Sequence, residues 1–205
     1  MPNIFNSCFI FNYFQGKTER DELVSLADMP LESPEEERIR DYFVFDCLTG
    51  LRFADFVKVT KVNITKRQNH SILSIYTQKN SKFAEVPLVD RAKAIAEKYH
   101  YDFGYYTNQA INRGIKNLFE KYHLFEDNFP LLRRVKKKII TVPKLRRERL
   151  SFHAGRRTFI SMLVQGNTPT NILMGYTGHT KVETLKHYIS KYSSQSFDYI
   201  KQLNF

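Results

Sequence analysis

Cysteine is nearly absent from this chain of 205 residues: only Cys8 and Cys47 occur. They lie far apart and neither belongs to a metal-ligand spacing, so a disulfide framework and a zinc site both lack support, and a reducing, cytoplasmic setting is expected. No apolar run reaches membrane-spanning length. The stretch from Ile4 to Phe14 is too short and is broken by Asn6, Ser7 and Asn12. It also lacks the basic lead-in and small-residue cleavage pattern of a signal peptide. Internal repeats, low-complexity tracts and the carboxylate clusters that hold phosphate-bound metals are missing too, so no metal or other cofactor is expected. Acidic residues are comparatively scarce, 21 against 32 Lys and Arg, for a formal net charge of +11. Such a balance points to a polyanionic partner rather than a membrane.

The excess charge is concentrated. From Arg133 to Arg157 come Arg133, Arg134, Lys136, Lys137, Lys138, Lys144, Arg146, Arg147, Arg149, Arg156 and Arg157, against the single acid Glu148. This density suits either a phosphate-tracking surface or a solvated basic connector, and a charge run alone does not decide between them. A hydrophobic content of 42% separates the chain from disordered polyelectrolytes and predicts a folded globule.

The periodicities predict an α+β, mainly α fold. Ser33-Pro34 with Glu36 announces a helix start, Ile39, Tyr42, Phe43 and Cys47 continue at helical spacing, and Gly50 supplies the stop. Arg52 then opens a short helix over 53–57. From 62 to 88 the texture changes to alternating Val, Ile, Thr and Tyr, giving three antiparallel strands over 62–66, 71–77 and 83–87. Lys79 falls on the second turn. Helices are expected over 91–99 and 108–122, and one from a Ser151 cap to Gly166 carries His153 and Arg156 on one face, i and i+3. Short helices near 170–174 and 182–189 follow, and a polar break at Ser193 precedes a last apolar segment, 197–205.

Six residues spread along these elements, Arg52, Lys79, His153, Arg156, His179 and Tyr188, suit one chemistry: a tyrosine hydroxyl attacking a phosphodiester among cationic donors. Singly, each has an ordinary reading as a salt-bridge, turn, cap or core residue. Their joint order and spacing carry the argument. Thr49-Gly50-Leu51-Arg52, Lys79 on the hairpin, His153-x-x-Arg156, Gly178-His179 and Tyr188 nine residues later resemble the catalytic domain of the tyrosine recombinase, or phage-type integrase, family, especially integrases of Bacteroides-type conjugative transposons. Asn80 and Arg157 depart from the threonine and histidine that many relatives have there.

The resemblance implies a helical catalytic domain with a small three-stranded antiparallel sheet over 31–189. Residues 1–30 would be a junction to an upstream core-binding domain, and 190–205 a tail that docks on a neighbouring protomer or folds back. It implies cleavage and rejoining of double-stranded DNA through a 3′-phosphotyrosyl intermediate without metal or ATP, in integration and excision of a mobile element. Tyr188 would be the nucleophile, Arg52 and Arg156 the phosphate forks, His153 and His179 further hydrogen-bonding groups, and Lys79 the proton donor to the leaving 5′ oxygen. The protein would be a monomer in solution and a tetramer on DNA, with Arg133, Arg134, Lys136, Lys137, Lys138, Lys144, Arg146, Arg147 and Arg157 lining the DNA. A type IB topoisomerase-like enzyme and a non-catalytic basic DNA-binding accessory protein are the alternatives.

Overall fold

A computed structural model describes residues 18, 20–79, 81–135 and 138–192. Its central rod is the helix α2 (Pro34–Thr49), and the local sequence explains both of its ends. Ser33 Oγ accepts the Glu36 N–H at 3.2 Å and Pro34 opens the first turn, which satisfies donors that a helix start leaves free. At the other end Gly50 turns left-handed, φ 64°, and its N–H caps the Asp46 carbonyl at 2.7 Å. A preceding helix, α1 (Arg20–Asp28), packs on α2 through Leu23, Leu26 and Ala27. The sequence reading placed no helix there.

After the short α3 (Phe53–Phe56) comes a three-stranded antiparallel sheet in the order β1 (Ile64–Arg67), β2 (His70–Thr77), β3 (Lys82–Pro87). The first turn puts Gln68 and Asn69 at positive φ, as a two-residue hairpin of right-handed twist requires. Register pairs Leu73 with Val86 and Ile75 with Ala84. These four side chains are buried, whereas the facing pair Tyr76 and Phe83 is exposed on the other side.

The helices α4 (Asp90–Lys98) and α5 (Asn108–Lys121) pack against α2 from the other flank. Between α5 and the short α6 (Arg146–Arg149) the expected basic connector is instead a second hairpin, β4 (Leu131–Val135) with β5 (Lys138–Val142). The long helix α7 (Phe152–Gln165) then crosses α2 in the most extensive helix pairing of the fold, and α8 (Thr170–Thr177) lies on β3. The last described helix is α9 (Glu183–Tyr192), packed on α7. The expected apolar segment at 197–205 lies outside the described residues.

Burial follows this frame. Tyr42, Phe45, Phe56, Phe103 and Phe152 form a buried aromatic group with mostly tilted and edge-to-face contacts, geometries that aromatic quadrupoles favour. A smaller cluster of Val86, Phe159, Ile160, Leu173, Leu185 and Tyr188 joins β3 to α7, α8 and α9.

Candidate active site

The site is organised by Arg156, whose residue is 95% buried on α7. Its Nη1 donates to the Gly50 carbonyl at 2.6 Å and its Nη2 to the Thr177 carbonyl at 2.7 Å. Both acceptors lie at helix C-terminal ends, of α2 and of α8, where free carbonyls and the peptide dipoles favour a cation. Both ends close with a left-handed glycine, Gly50 at φ 64° and Gly178 at φ 63°. At Gly50 the need is steric as well: a Cβ there would lie 2.3 Å from the Phe159 ring.

Arg52 arrives from the turn between α2 and α3 as the N-cap residue of α3. Its Nη1 is buried without a hydrogen-bond partner, an uncommon state for a charged donor. Arg156 feels it: burial and then the Arg52 guanidinium push the Arg156 pKa down to about 10, against opposing pulls from Asp46, Tyr188 and Asp55. The two guanidinium groups therefore feel each other's charge, and among the described residues none partners Arg52 Nη1.

The histidines complete this side. His153 lies one helical turn before Arg156, its residue exposed at one side while its ring faces the cations; lost hydration of the ring, then Arg157, Arg156, Arg52 and Lys79, push its pKa down to about 4. His179 is half-buried just past Gly178, and lost hydration, then Arg156, Arg52 and Lys79, push it also to about 4. Both rings are therefore neutral at pH 7. The influence of Lys79 on both rings places that exposed ammonium, on the turn after β2, at the same site. His179 Nδ1 lies 2.6 Å from Thr177 Oγ1, and its Nε2 lies 3.5 Å from Arg156 Nη2.

Tyr188, on α9, is only 2% exposed and belongs to the smaller apolar cluster. Its electrostatic influence on Arg156 brings the phenol to the same site, but from behind a hydrophobic wall rather than open to solvent. Hydrogen bonds join Arg156 and His179 at one site, and Arg52, Lys79, His153 and Tyr188 act on it through their charges.

Two acids escaped the sequence reading. Asp55, 2% exposed on α3, accepts the Gln78 N–H at 3.2 Å and so ties α3 to the turn that carries Lys79. Asp46 is fully buried in α2, and its carboxylate oxygens lack a hydrogen bond of full geometry, the Arg156 backbone N–H being the nearest help. Burial pushes its pKa well above the carboxylate range, opposed by Arg156. Gly155 makes room for it, since a Cβ there would lie 2.4 Å from Asp46 Oδ2. The available signal was position: Asp55 follows Arg52 by three residues and Asp46 precedes it by six.

The basic stretch is more divided than its sequence suggests. Arg146 donates to Glu22 of α1, one bond measuring 3.1 Å, and its guanidinium stacks 5.0 Å from the Phe125 ring centre. Arg147 pairs with Glu126, and Lys144 with Glu148. These three cations brace the fold, and most of their partners lie outside the window in which Glu148 is the lone acid. Lys138 is exposed on β5, Arg133 and Arg134 lie on β4, and Arg157 joins the electrostatics around His153. Lys136 and Lys137 lie outside the described residues. Among the described residues, no three His, Cys, Asp or Glu side chains are grouped to hold a metal ion, and no helix is long and apolar enough to cross a membrane.

Comparison with known proteins adds a family and a fold. A family model described as the phage integrase family matches residues 17–195. The chain is similar in structure to the XerH site-specific recombinase bound to difH substrate in a pre-cleavage complex: TM-score 0.60, 14% identity, 84% of this chain and 50% of that one. It is also similar to the Tn1549 transposon integrase in complex with circular intermediate DNA: TM-score 0.59, 14% identity, 85% and 60%. A third likeness is to the XerA recombinase: TM-score 0.55, 16% identity, 84% and 58%. The chain spans about half to three fifths of the length of these proteins. No curated protein matches its sequence.

Proposed function

Because the chain belongs to the phage integrase family, we propose that it is the catalytic part of a site-specific DNA recombinase that breaks and rejoins strands through a tyrosine–phosphate ester. The observation that carries this reading is the buried, unpartnered Nη1 of Arg52 beside the clamped guanidinium of Arg156. Two such guanidinium forks suit an oxyanion, and a phosphodiester has the oxygens that match.

In the proposed reaction the non-bridging oxygens of one phosphodiester rest on Arg52 and Arg156. The Tyr188 oxygen attacks phosphorus in line, a phosphorus–tyrosine oxygen bond forms, and the bond to the 5′ oxygen breaks. His153, neutral at pH 7, accepts the phenol proton, and Lys79 supplies one to the departing 5′ oxygen. The charge that builds on the equatorial oxygens is what the guanidinium forks stabilise. A 5′ hydroxyl of another strand reverses the steps, so the linkage is conserved without ATP. Burial of Tyr188 means that α9 has to shift before the phenol reaches phosphorus. The same reading assigns double-stranded DNA as partner and integration and excision of a mobile element as setting; the Tn1549 transposon integrase bears the integration part of that role in its name. Assembly as a tetramer on DNA belongs to it as well.

The test is a nicked duplex carrying the recombination site, incubated with the protein and resolved on a denaturing gel. A covalent protein–DNA band that disappears in Tyr188→Phe is expected. Salt-sensitive binding without any adduct, also when the protein is extended to the length of its relatives, refutes the enzyme and leaves the accessory-protein reading.

A further inference from the structure

The hydrogen bonds around His179 fix more than the position of its ring. Thr177 Oγ1 lies 2.6 Å from the Leu173 carbonyl oxygen and 2.6 Å from His179 Nδ1. A carbonyl oxygen only accepts, so the single hydroxyl proton points at Leu173; otherwise two lone pairs would meet at that distance. Thr177 can then only accept from His179, and the ring proton has to be on Nδ1. The opposite ring edge agrees independently. Nε2 faces the Arg156 Nη2 at 3.5 Å, and a proton there would point at another N–H donor. Thr177 is 1% exposed, so no solvent competes for its hydroxyl.

We infer that Thr177 is a positioning residue that holds His179 in the Nδ1–H tautomer and so leaves Nε2 as an acceptor toward Arg156 Nη2. The hydrogen bonds carry the tautomer, and the recombinase reading adds only that the ring belongs to a phosphate site. The charged or titratable groups facing the ring are Arg156 from α7, Arg52 from the α3 start and Lys79 from the β2–β3 turn, with the buried phenol of Tyr188 on α9 beside Arg156. These three cations disfavour a second ring proton.

The experiment uses the full chain labelled with ¹⁵N and a long-range ¹H–¹⁵N correlation of its histidine rings at pH 7, with His179 assigned by the peaks that His179→Gln loses. The expected spectrum has an N–H-type Nδ1 and a bare Nε2. Thr177→Val should shift the ring toward the Nε2–H form, and Thr177→Ser should restore the wild-type pattern. A wild-type ring protonated on Nε2, or a tautomer unmoved in Thr177→Val, overturns the inference whatever the protein does to DNA. Should Thr177→Val fail to fold, the wild-type and Thr177→Ser spectra still decide.

Discussion

Replacing Gly50 by alanine tests how the fold carries the site, and its cost can be worked from two observations. The backbone at Gly50 is left-handed, φ 64°, which costs an L residue about 1–2 kcal/mol. The new Cβ would also lie 2.3 Å from Phe159 Cδ1 and 2.9 Å from Cγ, so the buried ring must move, at about 1–3 kcal/mol for overpacking a dense core. The sum is about 2–5 kcal/mol, or roughly 4–20 °C in midpoint for a chain of this size. Gly175→Ala is the control: it lies within helix α8, and a Cβ there meets nothing within 4 Å. It should stabilise by up to about 1 kcal/mol, the helix-propensity difference. Urea unfolding followed by circular dichroism measures both. A Gly50→Ala loss below about 1 kcal/mol, or equal losses for the two variants, refutes the claim that conformation and contact with Phe159 set the requirement.

Arg52→Ala should separate stability from activity. It removes a buried, unpaired donor and a like charge beside Arg156, so unfolding should show no loss or a small gain, while adduct formation falls by about 10²–10³-fold. The pH dependence follows from His153 and His179, both depressed from 6.5 to about 4. Between those values the unfolded chain binds more protons than the folded one, so stability is fully present above about pH 6.5 and declines as pH falls toward 4. Thermal midpoints across pH 4–8 check this, and an excess of short duplex DNA should flatten the decline. Arg146→Ala, which cuts the brace to Glu22 and the contact with Phe125, should cost about 1–3 kcal/mol in urea unfolding. Lys138→Ala should leave stability unchanged and lower the salt slope of DNA binding by about 1.

Legibility in the sequence followed the range of the determining forces. The ends of α2 were readable because Ser33, Pro34 and Gly50 act within one turn, and the three strands because alternation between Ile64 and Pro87 is local. The six site residues were readable only jointly, through order and spacing. The β4–β5 hairpin was hidden because arginines and lysines occupy strand positions that a charge count treats as solvated loop. Helix α1 escaped since its three buried residues are few, and the neutralisation of Arg146 and Arg147 escaped because Glu22 and Glu126 lie at other points of the chain. Asp46 shows the limit most plainly: only α7 packed on α2 through Gly155 encloses it, and no local pattern reports a neighbour more than a hundred residues away.

Arg156 reaches acceptors 106 and 21 residues distant in the chain. Until both carbonyls have come home, its guanidinium has nothing to hold it rigid, and Arg52 has no companion charge. On the proposed function, nascent or partly denatured copies would keep their cationic surface for DNA yet lack the paired forks needed to cut it. Assembly of the native topology would then act as a safety catch, because two distant segments must already be tied to one side chain before such a site exists.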